Sequence, residues 1–154
     1  MKKNIEKLLL TGVFSFLLIF YSCEKNSTDP VFSKSPAIKI TEISQDTLVQ
    51  FIDKLILKIE YEDGDGDLGN ANPDVNSIFV KDSRLEEADE YYLPPLAPDS
   101  AFVSITGVFN LELSTSFLFG NGTEESAIFE VFVVDRAGNV SETVETTPIL
   151  IIKE

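Results

Sequence analysis

The chain of 154 residues has no histidine, no tryptophan and one cysteine, Cys23, and it sets only 12 Lys+Arg against 26 Asp+Glu, a formal charge of −14. Without histidine there is no imidazole acid–base chemistry and no Ser/His nucleophile. With a single thiol there is neither an intramolecular disulfide nor a zinc site built on Cys and His. The shortage of positive charge makes the chain repel phosphate backbones and anionic lipid surfaces, so nucleic acid is not an expected partner. What remains for chemistry is carboxylate oxygen, for which cations are the natural counter-ligands. A carboxylate-only glycosidase fits that inventory on paper, but the absence of Trp and the presence of only 4 Tyr leave little for a sugar platform.

Long hydrophobic runs are also scarce. The one present, Leu8 to Phe20, follows the basic start Lys2, Lys3, Lys7 and leads into Tyr21-Ser22-Cys23. At about 1.5 Å per residue it reaches roughly 20 Å as a helix, short of the ~30 Å hydrocarbon core. A short apolar run closed by a small residue and a lone cysteine has the layout of a lipoprotein signal peptide. Residues 1–22 are therefore expected to be cleaved, with Cys23 acylated as the new first residue and the membrane reached through that lipid. Phe20 and Tyr21 are bulkier than is usual at such a site. Residues 23–35 are polar, contain Pro30 and read as a tether, leaving residues 36–154 as one domain.

That domain shows no helical period. Ile38, Ile40 and Ile43 mark a first strand, and Leu55, Leu57, Ile59 and Tyr61 alternate with Lys54, Lys58 and Glu60 in a second. Further strands are predicted at 77–81, 90–93, 101–105, 108–113, 127–134, 140–146 and 149–152, with Phe129, Val131 and Val133 facing inward. Short alternating segments separated by Gly, Pro, Asn and Asp predict an all-β domain, an immunoglobulin-like β-sandwich of about seven strands.

Between the second and third strands runs Tyr61-Glu62-Asp63-Gly64-Asp65-Gly66-Asp67-Leu68-Gly69-Asn70, followed by Asp74. Carboxylates at every second position on a backbone that glycine allows to curl are what a hard cation needs, since calcium gathers six to eight oxygens at 2.3–2.6 Å. Asp63, Asp65, Asp67 and Asp74 match positions 1, 3, 5 and 12 of an EF-hand loop. Leu68 occupies the position that requires Gly, the last residue is not Glu, and no helices flank it, so the ligand spacing is retained and the EF-hand fold rejected. The competing reading is a solvated turn rich in Asp and Gly. A second loop, Asp135-Arg136-Ala137-Gly138-Asn139, reads as a hairpin turn. In immunoglobulin strand order the two are the B–C and F–G loops at one end of the sandwich, where Asp135 would complete the calcium shell or Arg136 would pair with a surplus carboxylate.

The lipoprotein start, YEDGDGDLG after an amphipathic strand and VDRAGNVS before the last strand together resemble small immunoglobulin-like lipoproteins of Bacteroidota-type cell envelopes. The resemblance implies a sandwich domain at the outer membrane. Glu24-Lys25-Asn26 lacks the acidic run that resembles surface-export signals in such bacteria, which points to the periplasmic face. Two three-residue patterns, Asp46-Thr47-Leu48 and Asp99-Ser100-Ala101, are similar to O-glycan attachment sites in these bacteria, making Thr47 and Ser100 candidates. Tyr91 and Tyr92, beside two prolines, read as half-buried packing on a sheet edge. The expected function is a non-enzymatic, lipid-anchored adhesion or accessory module with structural calcium. The alternative is a glycan-binding or envelope-complex subunit without metal, and a carboxylate hydrolase is a distant third.

Overall fold

The computed structural model describes residues 33–98, 101–114 and 116–154. The signal segment, Cys23, most of the tether and Ser100 lie outside them. The described residues contain no helix and ten strands: β1 (Ala37–Ile43), β2 (Thr47–Val49), β3 (Leu55–Asp63), β4 (Ile78–Asp82), β5 (Asp89–Tyr91), β6 (Ile105–Leu113), β7 (Glu124–Ala127), β8 (Phe129–Val133), β9 (Val144–Glu145) and β10 (Ile149–Ile152).

The period of two in β3 sends Leu55, Leu57 and Ile59 to full burial and leaves Ile56, Lys58 and Glu60 exposed. Across the core lie Val131 and Val133 of β8 and Ile149 and Ile151 of β10, all without exposed surface. Each such aliphatic side chain contributes about 1.5–3 kcal/mol by leaving water. The sheets run β1-β3-β6, β2-β10-β7 and β5-β4-β8-β9. In immunoglobulin terms β3–β6 is the B–E pair, β4–β8 the C–F pair and β8–β9 the F–G pair, with β2 running parallel to β10.

Ten strands appear where about seven were expected because long strands are interrupted. Ile128 separates β7 from β8, where its N–H turns to the Ser83 hydroxyl at 2.9 Å. Pro148, which has no N–H to donate, lies between β9 and β10. There Thr146 substitutes for the ladder: its hydroxyl accepts from Phe129 N–H and its own N–H donates to the Phe129 carbonyl, both at 3.0 Å. Two further expectations need correction. Of 101–105 only Ile105 joins a strand, and of 140–146 only Val144 and Glu145 do. The short β2 is an addition the pattern did not reveal.

Candidate metal centre

The acidic segment is folded by two left-handed glycines and one buried leucine. Gly66 (φ 75°) and Gly69 (φ 84°) adopt backbone angles that side chains disfavour. A Cβ on Gly69 would stand 2.3 Å from the Pro94 carbonyl oxygen, so the glycine lets two loops touch. Leu68, at the position where an EF-hand would need Gly, is fully buried in the core. Its carbonyl accepts from Leu96 N–H at 3.2 Å, and Asn70 N–H donates to the Leu93 carbonyl at 2.9 Å. The loop is thereby strapped to the segment after β5.

Burial of Leu68 swings the chain back over the end of β3. Asp63 is itself fully buried, and its Oδ2 accepts from Leu68 N–H at 2.9 Å. The F–G turn closes the other side. Arg136 N–H donates to the Asp67 carbonyl at 3.2 Å, and Ala137 N–H to Asp67 Oδ2 at 3.0 Å. The Arg136 guanidinium donates to the carbonyls of Gly69 (2.8 Å) and Gly66 (3.3 Å), clamping the curl from outside. The expected meeting of the B–C and F–G loops is therefore present, and its bonds run largely through backbone groups.

Inside the curl, carboxylate oxygens of Asp63, Asp65 and Asp67 lie within 4.8 Å of one another. One oxygen of each, Oδ1, is buried and has no hydrogen-bond partner. Two oxygens on one calcium ion can lie at most about 4.8 Å apart, twice a bond of about 2.4 Å, and none of the three separations exceeds that bound. Without a cation, two unit charges at about that distance repel by roughly 3 kcal/mol at an effective dielectric near 20. The consequence shows in proton affinity. Burial pushes the Asp67 carboxyl up to about 6, helped by the negative charges of Asp135, Asp65 and Asp63. Burial also raises Asp63, opposed in part by the Leu68 N–H and reinforced by Asp65. Buried, unpartnered, mutually repelling oxygens are a donor set that can hold a metal ion.

The other sequence candidates fall differently. Asp135 is buried and close enough to act electrostatically on Asp63 and Asp67. Its oxygens accept from Asn139 N–H (2.7 Å) and the Asn139 amide (2.8 Å), which fastens the F–G turn. Asp74 is exposed and is not among the gathered carboxylates. Asn70 and Asn72 make successive side-chain turns onto the N–H groups of Asn72 and Asp74, and these carry the chain on to solvent. Thr47 is exposed on β2, with its hydroxyl donating to Asp46 at 3.2 Å. Tyr91 is half-buried on the edge strand β5, and Tyr92 is exposed. The roles of Leu68 as anchor and Arg136 as carbonyl clamp were not evident from sequence. An apolar residue set among alternating acids was the available signal for the first.

No family model and no curated protein matches the chain. Among solved structures it is similar to a mutant of the SrpA adhesin from Streptococcus sanguinis, at 16% identity and a TM-score of 0.35. The match covers 80% of this chain and 59% of that one. A likeness at this level carries no functional argument.

Proposed function

We propose that the chain is a lipid-anchored, non-enzymatic module of the cell envelope, held at the outer membrane through Cys23 on the periplasmic face, with a structural calcium ion in its B–C loop and an adhesion or accessory-binding role. The observation that carries the metal reading is the set of three buried, unpartnered Oδ1 atoms of Asp63, Asp65 and Asp67. An all-oxygen, all-carboxylate set suits a hard cation. Calcium bound there would fasten several segments at once. The loop already touches the tether end through Gly64 N–H to the Ser33 carbonyl (2.8 Å), the segment before β6 through the Ser104 hydroxyl to the Gly64 carbonyl (2.9 Å), and the F–G turn.

The ion's role in this reading is rigidity at the end where the tether enters. Equilibrium dialysis against calcium tests it. The native chain is expected to bind one ion with a dissociation constant of about 10⁻⁴ to 10⁻³ M, the range of extracellular modules, and Asp65→Asn to bind far more weakly. Equal binding by both would remove the site.

A further inference from the structure

The end of the sandwich opposite the acidic loop carries an aromatic surface. The turn before β3, the turn after β4 and the loop after β6 meet there, because Leu55 of β3 pairs with Leu113 of β6 and β4 ends at Asp82, opposite Phe129. Phe51 is 65% exposed, Phe119 47% and Phe117 41%, with Ile52 and Leu85 exposed as well. The rings pack against one another. Phe51 stacks on Phe117 at 5.6 Å, and Phe117 meets Phe119 edge-on at 4.9 Å. Arg84 lies 4.5 Å over the Phe119 ring, held by Asp82 (2.7 Å), Glu125 (2.9 Å) and the Phe117 carbonyl (3.0 Å). Phe51 N–H donates to the Ser116 carbonyl at 3.1 Å, tying the two aromatic loops together.

One of these rings is presented at a conformational cost. Phe51 has φ 63°, a left-handed backbone that disfavours any residue with a Cβ and suits glycine. Strain that holds an apolar ring in water marks a surface built to be covered. Beside the rings opens a cleft of about 150 Å³, walled by Leu85, Tyr91, Phe117 and Phe119 with Asp89 and Ser114 among its polar groups, a size that suits one inserted side chain.

Charge selects the occupant. Arg84 is neutralised by two carboxylates and Lys54 by Glu112, and the exposed Glu86, Glu87, Asp89 and Glu124, in the turn after β4 and at the starts of β5 and β7, outnumber the exposed Lys153 that follows β10. An acidic rim repels both a second copy of the same end and an anionic lipid surface, and it attracts Lys and Arg. We infer that this end docks a protein segment whose apolar side chains are flanked by Lys or Arg. The inference rests on reading the chain as a binding module and is independent of calcium.

The test follows backbone amide NMR shifts of the full chain in neutral detergent, referenced to empty micelles, on titration with a peptide alternating Lys and Leu. Shifts are expected at residues 50–52, 83–89 and 116–120, and binding is expected to weaken as salt rises. Phe51→Gly removes a ring while relieving strain, so it should weaken binding about three- to tenfold without lowering the melting temperature. Phe117→Ser should weaken it similarly. The inference is overturned if the shifts centre on residues 63–74, if a Glu–Leu peptide or a neutral oligosaccharide binds this end equally well, if it pairs with a second copy instead, or if Phe51→Gly binds like the native chain. Loss of calcium binding in a separate titration would sink the metal reading and leave this result standing.

Discussion

Replacing Gly69 with alanine should be far more damaging than the same change at Gly138, although both glycines have nearly the same φ, 84° and 87°. The backbone term is common to the two: placing a Cβ on a left-handed residue costs about 1–2 kcal/mol. At Gly138 nothing lies within 4 Å of the added methyl, so the cost ends there. At Gly69 the methyl would meet the Pro94 oxygen at 2.3 Å, the Pro94 carbonyl carbon at 2.8 Å and the Leu93 oxygen at 3.1 Å, all backbone atoms that cannot rotate away. Separating the loops by an ångström or so puts at risk the Asn70–Leu93 bond and the Arg136 bond to the Gly69 carbonyl. At about 0.5–1.5 kcal/mol each, these raise the total to roughly 2–5 kcal/mol against about 1–2 kcal/mol for Gly138→Ala. Urea unfolding of both variants reads the difference directly, and Gly69→Ala should also bind calcium more weakly because the curl around Asp67 opens. Equal losses of stability would mean that the contact between the acidic loop and the segment after β5 is not formed.

Arg84→Ala removes the partner of the nearly buried Asp82 and of Glu125 and frees the Phe119 ring; a loss of roughly 2–3 kcal/mol is expected by thermal or chemical denaturation, with Arg84→Lys restoring only part of it. In EDTA the domain should gain stability as pH falls from about 7.5 towards 5. Asp67, raised to about 6 in the fold, binds its proton more tightly folded than unfolded, so its favourable contribution is present at low pH and fades as pH rises through about 6. A metal-free melting temperature that fell steadily over that interval would contradict this. Cys23→Ala should abolish acyl labelling and leave unprocessed precursor, whereas a normally acylated product would remove the anchor at that residue.

Much of the fold was legible because β3 and β8 each bury one face and expose the other at least in part. Leu55, Leu57 and Ile59, and Phe129, Val131 and Val133, carry a period of two strong enough to fix both the strand and its inward side. The short β2 was not legible, since Thr47-Leu48-Val49 is set by its parallel register with Leu150, Ile151 and Ile152, a contact a hundred residues away in sequence. At the candidate metal centre, alternation alone pointed to Asp63, Asp65 and Asp67, because convergence of alternate carboxylates needs only a local curl. The exposure of Asp74 depends on the Asn70 and Asn72 side-chain turns, and the bonding of Asp135 to Asn139 depends on a competing local partner. Neither could be read from ligand spacing.

The most direct measurement of the central claim is the melting temperature of the chain in EDTA and in millimolar calcium. Calcium at ten times its dissociation constant, about 1–10 mM for the affinity proposed, stabilises the folded state by about 1.4 kcal/mol. For a domain of this size that is a rise of several degrees or more. Magnesium, smaller and reluctant to shed its waters, should raise the temperature less, and Asp65→Asn should remove most of the calcium effect. Superimposable melting curves of the native chain with and without calcium would show that Asp63, Asp65 and Asp67 hold no ion and that the acidic loop is a turn stabilised by Leu68, Gly69 and Arg136 alone.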